Sequence, residues 1–134
     1  MKKELGTIRF ERVYTQAPGK VWRALTEPEL VARWWAPGDI RAEVGHRFNM
    51  DMGPWGQQPC EVIAVEPERR FSYRFAEPTL NTTITWELAP EGSGTRLTLT
   101  HEGFDLDSPM GRRAYEGMKP GWPGLLEKLA TVLD

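Results

Sequence analysis

Residues 81–101 read NTTITWELAPEGSGTRLTLTH. Thr82, Ile84, Trp86 and Leu88 fall two apart, as do Thr95, Leu97, Leu99 and His101. A period of two places each set on one face of an extended strand. The tetrapeptide Glu91-Gly92-Ser93-Gly94 between them is hairpin chemistry. It joins two strands, so it is not the strand-to-helix loop that cradles a phosphate. An antiparallel pair of this kind needs a cover for its apolar face.

The same period runs back through the preceding sequence. Phe71, Tyr73 and Phe75 alternate with Ser72 and Arg74. Residues 59–66, PCEVIAVE, form a strand that Pro59 can only begin. Phe48, Met50 and Met52 alternate with Arg47, Asn49 and Asp51, and Ile40, Ala42 and Val44 alternate with Arg41 and Glu43. Gly45-His46 makes the turn between those two runs. Residues 5–14, LGTIRFERVY, read as a further half-buried strand.

Two short helices follow that first strand. Pro18 suits a first helical position, and Val21, Trp22 and Leu25 share a face over 18–26. Pro28 restarts the pattern with Leu30, Val31, Trp34 and Trp35, and Ala36-Pro37-Gly38 stops it. At the other end, Asp107-Ser108-Pro109 is a helix start. The helical stretch runs to about Lys119, where Pro120, Gly121, Pro123 and Gly124 interrupt or kink it. Trp122, Leu125, Leu126, Leu129, Val132 and Leu133 then form an apolar stripe at helical spacing. The expected fold is α+β. A curved antiparallel sheet of about seven strands wraps around a long C-terminal helix, which alone is amphipathic enough to cover it.

Composition narrows the function classes. The 134 residues fit one domain, 1–134. A net charge of −2 without a basic run gives no electrostatic case for nucleic acid or an anionic membrane. No apolar run approaches the ~20 residues that span a bilayer. The opening MKKELGTIRF lacks the apolar stretch of a signal peptide, so a cytoplasmic location is expected. Cys60 is the only cysteine, which excludes an intrachain disulfide. With His46 and His101 it shows no ligand spacing, so no metal or other cofactor is expected. The excess lies in aromatics: six Trp, five Phe and three Tyr, residues that fill cores and also line ligand pockets.

Five segments, in this order, resemble a known family: APGKVWRALTEPELVARWWAP (17–37), VGHRF (44–48), EVIAVEPERRFSYRF (61–75), GSGTRLTLTHEGF (92–104) and GWPGLLEKLATVL (121–133). Together they resemble the START-like, or Bet v 1-like, helix-grip superfamily (SRPBCC). Within it they are most similar to single-domain proteins related to the C-terminal domain of the Hsp90 ATPase activator. His46 stands where that family usually has a second glycine, and Pro120 and Pro123 are further departures. The resemblance implies a cavity between sheet and C-terminal helix that takes a small hydrophobic or amphipathic ligand. It leaves two alternatives: a polyketide-type cyclase or dehydratase using the same cavity, and a co-chaperone-like module with a chaperone partner. A homodimer is compatible with the family, but no sequence feature marks an interface.

The candidate ligand-binding residues are Phe48, Met50, Phe71, Tyr73, Phe75, Trp86 and His101 on the sheet, facing Tyr115, Met118 and Trp122 on the helix. The same spacing equally describes a filled core. His101 is the one candidate acid or base, set against a histidine that merely bonds locally. His46 reads as a surface residue in a turn, and Cys60 as a small buried hydrophobe. Trp34 and Trp35 are adjacent on a helix, so only one is expected to face the core. The other would lie at the cavity mouth, on a partner surface or, as the plainer reading, flat over the sheet edge. Trp55, in Gly-Pro-Trp-Gly, reads as a lid or as a loop anchor.

Overall fold

The computed structural model describes residues 4–77 and 80–133. The chain forms β1 (Leu5–Tyr14), α1 (Pro18–Thr26), α2 (Pro28–Trp34), β2 (Arg47–Asp51), β3 (Gln57–Glu66), β4 (Arg70–Phe75), β5 (Thr82–Glu91), β6 (Gly94–Asp105) and α3 (Pro109–Leu133). A single 3-10 turn, Gly53–Trp55, connects β2 to β3. The strands make one sheet in the order β1-β6-β5-β4-β3-β2. Every neighbouring pair is antiparallel. β2 to β6 follow one another as a meander, and β1 closes on the far side against β6.

The sheet has six strands, not seven. Residues 40–44 are not a strand, despite their alternation. Ile40 is buried, but Val44 is 62% exposed and Ala42 also faces solvent. Of the three apolar residues in this segment only Ile40 finds a place in the core. β2 already occupies the outer side of β3, and Gly45 and His46 extend that pairing by exchanging backbone hydrogen bonds with Val62. The preceding segment touches the sheet only at a bridge between Gly38 and Met50. That approach needs glycine, because a β-carbon at Gly38 would lie 2.6 Å from the Asn49 carbonyl oxygen. Alternation does not make a strand where the alternate side chains have nothing to pack against.

One helix runs through both prolines. Pro120 and Pro123 leave the carbonyls of Glu116 and Lys119 without their intrahelical donor. Both of those residues are exposed, so water can satisfy the freed carbonyls. Trp122, Leu126, Leu129 and Leu133 form the buried face of α3. Ser108 caps the helix through a bond from the Gly111 amide to its hydroxyl at 3.3 Å. The Tyr14 hydroxyl donates to the Leu126 carbonyl at 2.9 Å and ties β1 to the same helix.

Gly111 is where α3 meets β6. A β-carbon there would run into the backbone carbonyl of Asp105, which has no flexible side chain to move. Gly111→Ala is expected to lower the unfolding free energy by roughly 1–3 kcal/mol, the usual cost of overpacking, despite alanine's better helix propensity. Urea unfolding checks it, and a stabilised variant would refute the close approach.

Candidate functional site

The site is an aromatic cluster between the sheet and α3. Period two aims Phe71, Tyr73 and Phe75 of β4 to one side. Register then sets Trp86 opposite Phe71, and His101 beyond Ile84, which itself faces Tyr73. Phe48 and Met50 join from β2, and Trp122 comes down from α3. Tyr73, Trp86 and Trp122 are each no more than 1% exposed. Trp86 and Trp122 meet edge to face at 5.7 Å between ring centroids, and Phe48 meets Tyr73 at 5.8 Å. Such pairs add about 0.5–1.5 kcal/mol each beyond area burial.

All ten sequence candidates lie in or against the core. Phe48, Phe71 and Tyr73 form one group of ring contacts and Phe75, Trp86, His101 and Trp122 another, and Trp35 joins the two. Tyr115 joins it through Phe104. Met50 is fully buried, while Tyr115 and Met118 are half-buried against the same core.

The residue that sequence reasoning misplaced is Trp35. Both adjacent tryptophans face inward. Trp34 is 2% exposed and Trp35 packs on the core, their rings stacked at 5.7 Å. The helical argument fails because α2 ends at Trp34. Trp35 has left helical geometry, with φ −125° and ψ −83°. The Ala36-Pro37-Gly38 stop was the signal for this. Trp34 is fixed by its Nε1–H to the Ala24 carbonyl at 2.8 Å. Trp35 lies against Tyr73, Phe75 and Trp122, with centroids 6.4, 5.7 and 5.4 Å away, yet it remains partly exposed. Trp55 stands apart on the surface, 77% exposed.

The polar groups inside the cluster are nearly all committed to one another. Thr82 donates its hydroxyl proton to the Phe75 carbonyl at 3.1 Å. It can therefore only accept from His101 Nε2–H, 2.9 Å away. That assigns the proton to Nε2 and leaves Nδ1 to accept from Trp122 Nε1–H at 3.2 Å. Burial pushes His101 down to about 3, so the ring is neutral. On the other side, Trp86 Nε1–H donates to the Tyr73 hydroxyl at 3.1 Å. Burial holds the Tyr73 phenol well above its ordinary value and pushes the Cys60 thiol up to about 12. A thiol held there is no nucleophile. His46 lies outside the cluster, half-buried, stacked on Phe48 and bonded to the Asp39 carbonyl at 2.6 Å. No group of three or more potential metal ligands occurs among the described residues. None of their helices is long and apolar enough to cross a membrane.

Two donors stay unmatched. Trp35 Nε1 is sealed from solvent without a hydrogen-bond partner among the described residues. Tyr73 accepts from Trp86, but its own proton has no acceptor among them.

A six-stranded antiparallel sheet with a long C-terminal helix and two short helices after its first strand defines an SRPBCC-type protein, a fold that commonly binds hydrophobic ligands. The family profile described as "Activator of Hsp90 ATPase homolog 1-like protein" matches residues 16–134. The chain belongs to that family. Protein MLL2253 from Mesorhizobium loti is 41% identical, with 96% of this chain and 97% of that chain covered and a TM-score of 0.86. Protein BH1534 from Bacillus halodurans is 28% identical over 99% of this chain and 100% of that one, with a TM-score of 0.83. Mll3558 from Rhizobium loti is 30% identical over 98% and 99%, with a TM-score of 0.74. No curated protein matches.

Proposed function

We propose that this protein binds a small, largely apolar, flat molecule against the aromatic cluster, at the place where Trp35 closes it. Trp35 carries the reading. It alone of the inner tryptophans spans from solvent to Tyr73, Phe75 and Trp122. It also sits on non-helical backbone, two residues before Pro37-Gly38. A side chain so placed can shift without unravelling a helix or a strand, and the ligand enters beside it among the rings. Aromatic walls with few polar groups suit such a molecule. Acid–base chemistry is not proposed, because protein partners occupy both nitrogens of His101.

Native against denaturing mass spectrometry of the freshly purified protein gives the first test, with retained small molecules expected in the native spectrum. Titration with the uncharged probe N-phenylnaphthylamine gives the second, and saturable one-to-one binding is expected. Absence of binding to folded protein in both measurements would overturn the reading. Trp35→Ala should raise the association rate of that probe by about ten-fold in stopped flow, because the obstructing ring is gone. An unchanged rate would mean that access lies elsewhere.

A further inference from the structure

Nearly every polar group in the cluster is answered within the protein, and what is left over is one-sided. Among the described residues Trp35 Nε1–H, sealed from solvent, has no acceptor, and the Tyr73 proton has none either. Two side-chain acceptors of the cluster are already engaged: His101 Nδ1 takes the Trp122 proton, and Thr82 Oγ1 takes that of His101. A buried donor without a partner is costly and uncommon, and it calls for a specific explanation.

We infer that the bound molecule presents a neutral carbonyl oxygen, as in an aryl ketone or a quinone, and that Trp35 Nε1–H donates to it with Tyr73 O–H as the second donor. This rests on the aromatic cluster being the ligand site. The two rings are neighbours at 30° to one another, with centroids 6.4 Å apart, so both donors belong to one part of the cluster. An acceptor is required because donors are in surplus. A neutral one is required because burying a carboxylate without a cation is prohibitive. His101, the basic side chain within the cluster, is held uncharged there. An alcohol or amine brings a further donor with nowhere to place it.

A pair of probes with the same shape separates this from apolar binding in general. 2-Acetylnaphthalene and 2-isopropenylnaphthalene differ by C=O against C=CH2. The wild-type protein is expected to bind the ketone about ten-fold more tightly, as a satisfied against an unsatisfied buried donor implies. Trp35→Phe keeps a ring and removes the N–H, so it should bring the two affinities together, whatever it does to both in common. Infrared difference spectra of the carbon-13 carbonyl in the wild-type complex should show its stretch lowered relative to hexane, a readout independent of any variant. Equal affinities with an unshifted stretch would overturn the carbonyl assignment and leave the apolar site standing. Failure of both probes to bind would overturn both.

Discussion

Trp122→Ala is expected to lower the unfolding free energy by about 4 kcal/mol, roughly a 15 °C fall in Tm for a chain of this size. Large-to-small changes of buried tryptophan cost about 3–5 kcal/mol through lost transfer energy and the cavity left behind. Trp122 belongs at the upper part of that range for two reasons. Its ring touches Trp35, Trp86 and His101, which come from separate elements, so no single neighbour can collapse into the gap. Its Nε1–H is also the partner of His101 Nδ1, and its removal strands a buried acceptor. Trp122→Phe, which restores ring volume without the N–H, should recover about half of the loss. Urea unfolding of both variants measures it. A loss below 1 kcal/mol for the alanine variant would mean that α3 does not hold the sheet through this residue.

The second large effect is acid instability traceable to one ring. His101 is held at about 3 in the folded protein against an ordinary 6.5, with desolvation as the cause. Its folded pKa is depressed, so between those values the unfolded chain binds a proton that the folded chain refuses. Stability from this group is therefore complete above about pH 6.5 and falls as the pH drops toward 3, by up to about 1.4 kcal/mol per unit. Charging the ring would also set an Nδ1–H against Trp122 Nε1–H, donor against donor. From pH 7 to pH 4 the wild-type protein should lose about 3 kcal/mol more than His101→Phe. The difference between the two slopes removes the contribution of the carboxylates, which titrate in both. Parallel losses would show that the ring is not buried neutral.

Most of the sheet was legible because its side chains obey the period of a half-buried strand. The run from Thr82 to His101 and that from Phe71 to Phe75 both pair as their alternation requires. The stripe from Trp122 to Leu133 likewise marked the helix that covers them. Ile40 to Val44 misled because alternation reports what a segment would bury, not what it does bury, and here only Ile40 reaches the core. The ten candidate residues came together because register follows from the hairpins, although their use in binding is a separate matter. Trp35 escaped because its place depends on backbone just past a helix end, where neither helical nor strand period applies. The donor surplus at Trp35 and Tyr73 was not legible at all. It emerges only when each hydrogen bond is traced to its partner.

The stacking of Trp34 on Trp35 has an optical consequence. Two indoles with centroids 5.7 Å apart and planes inclined by 24° share their excited states. Their transitions then split into a couplet of opposite sign in circular dichroism, with an amplitude that depends on the angle between the rings. Trp34 is held by its bond to Ala24, so only Trp35 is free to change that angle. The protein thus carries its own polarimeter: a molecule that displaces Trp35 would collapse the couplet while the signal from the sheet stays constant, with no dye attached.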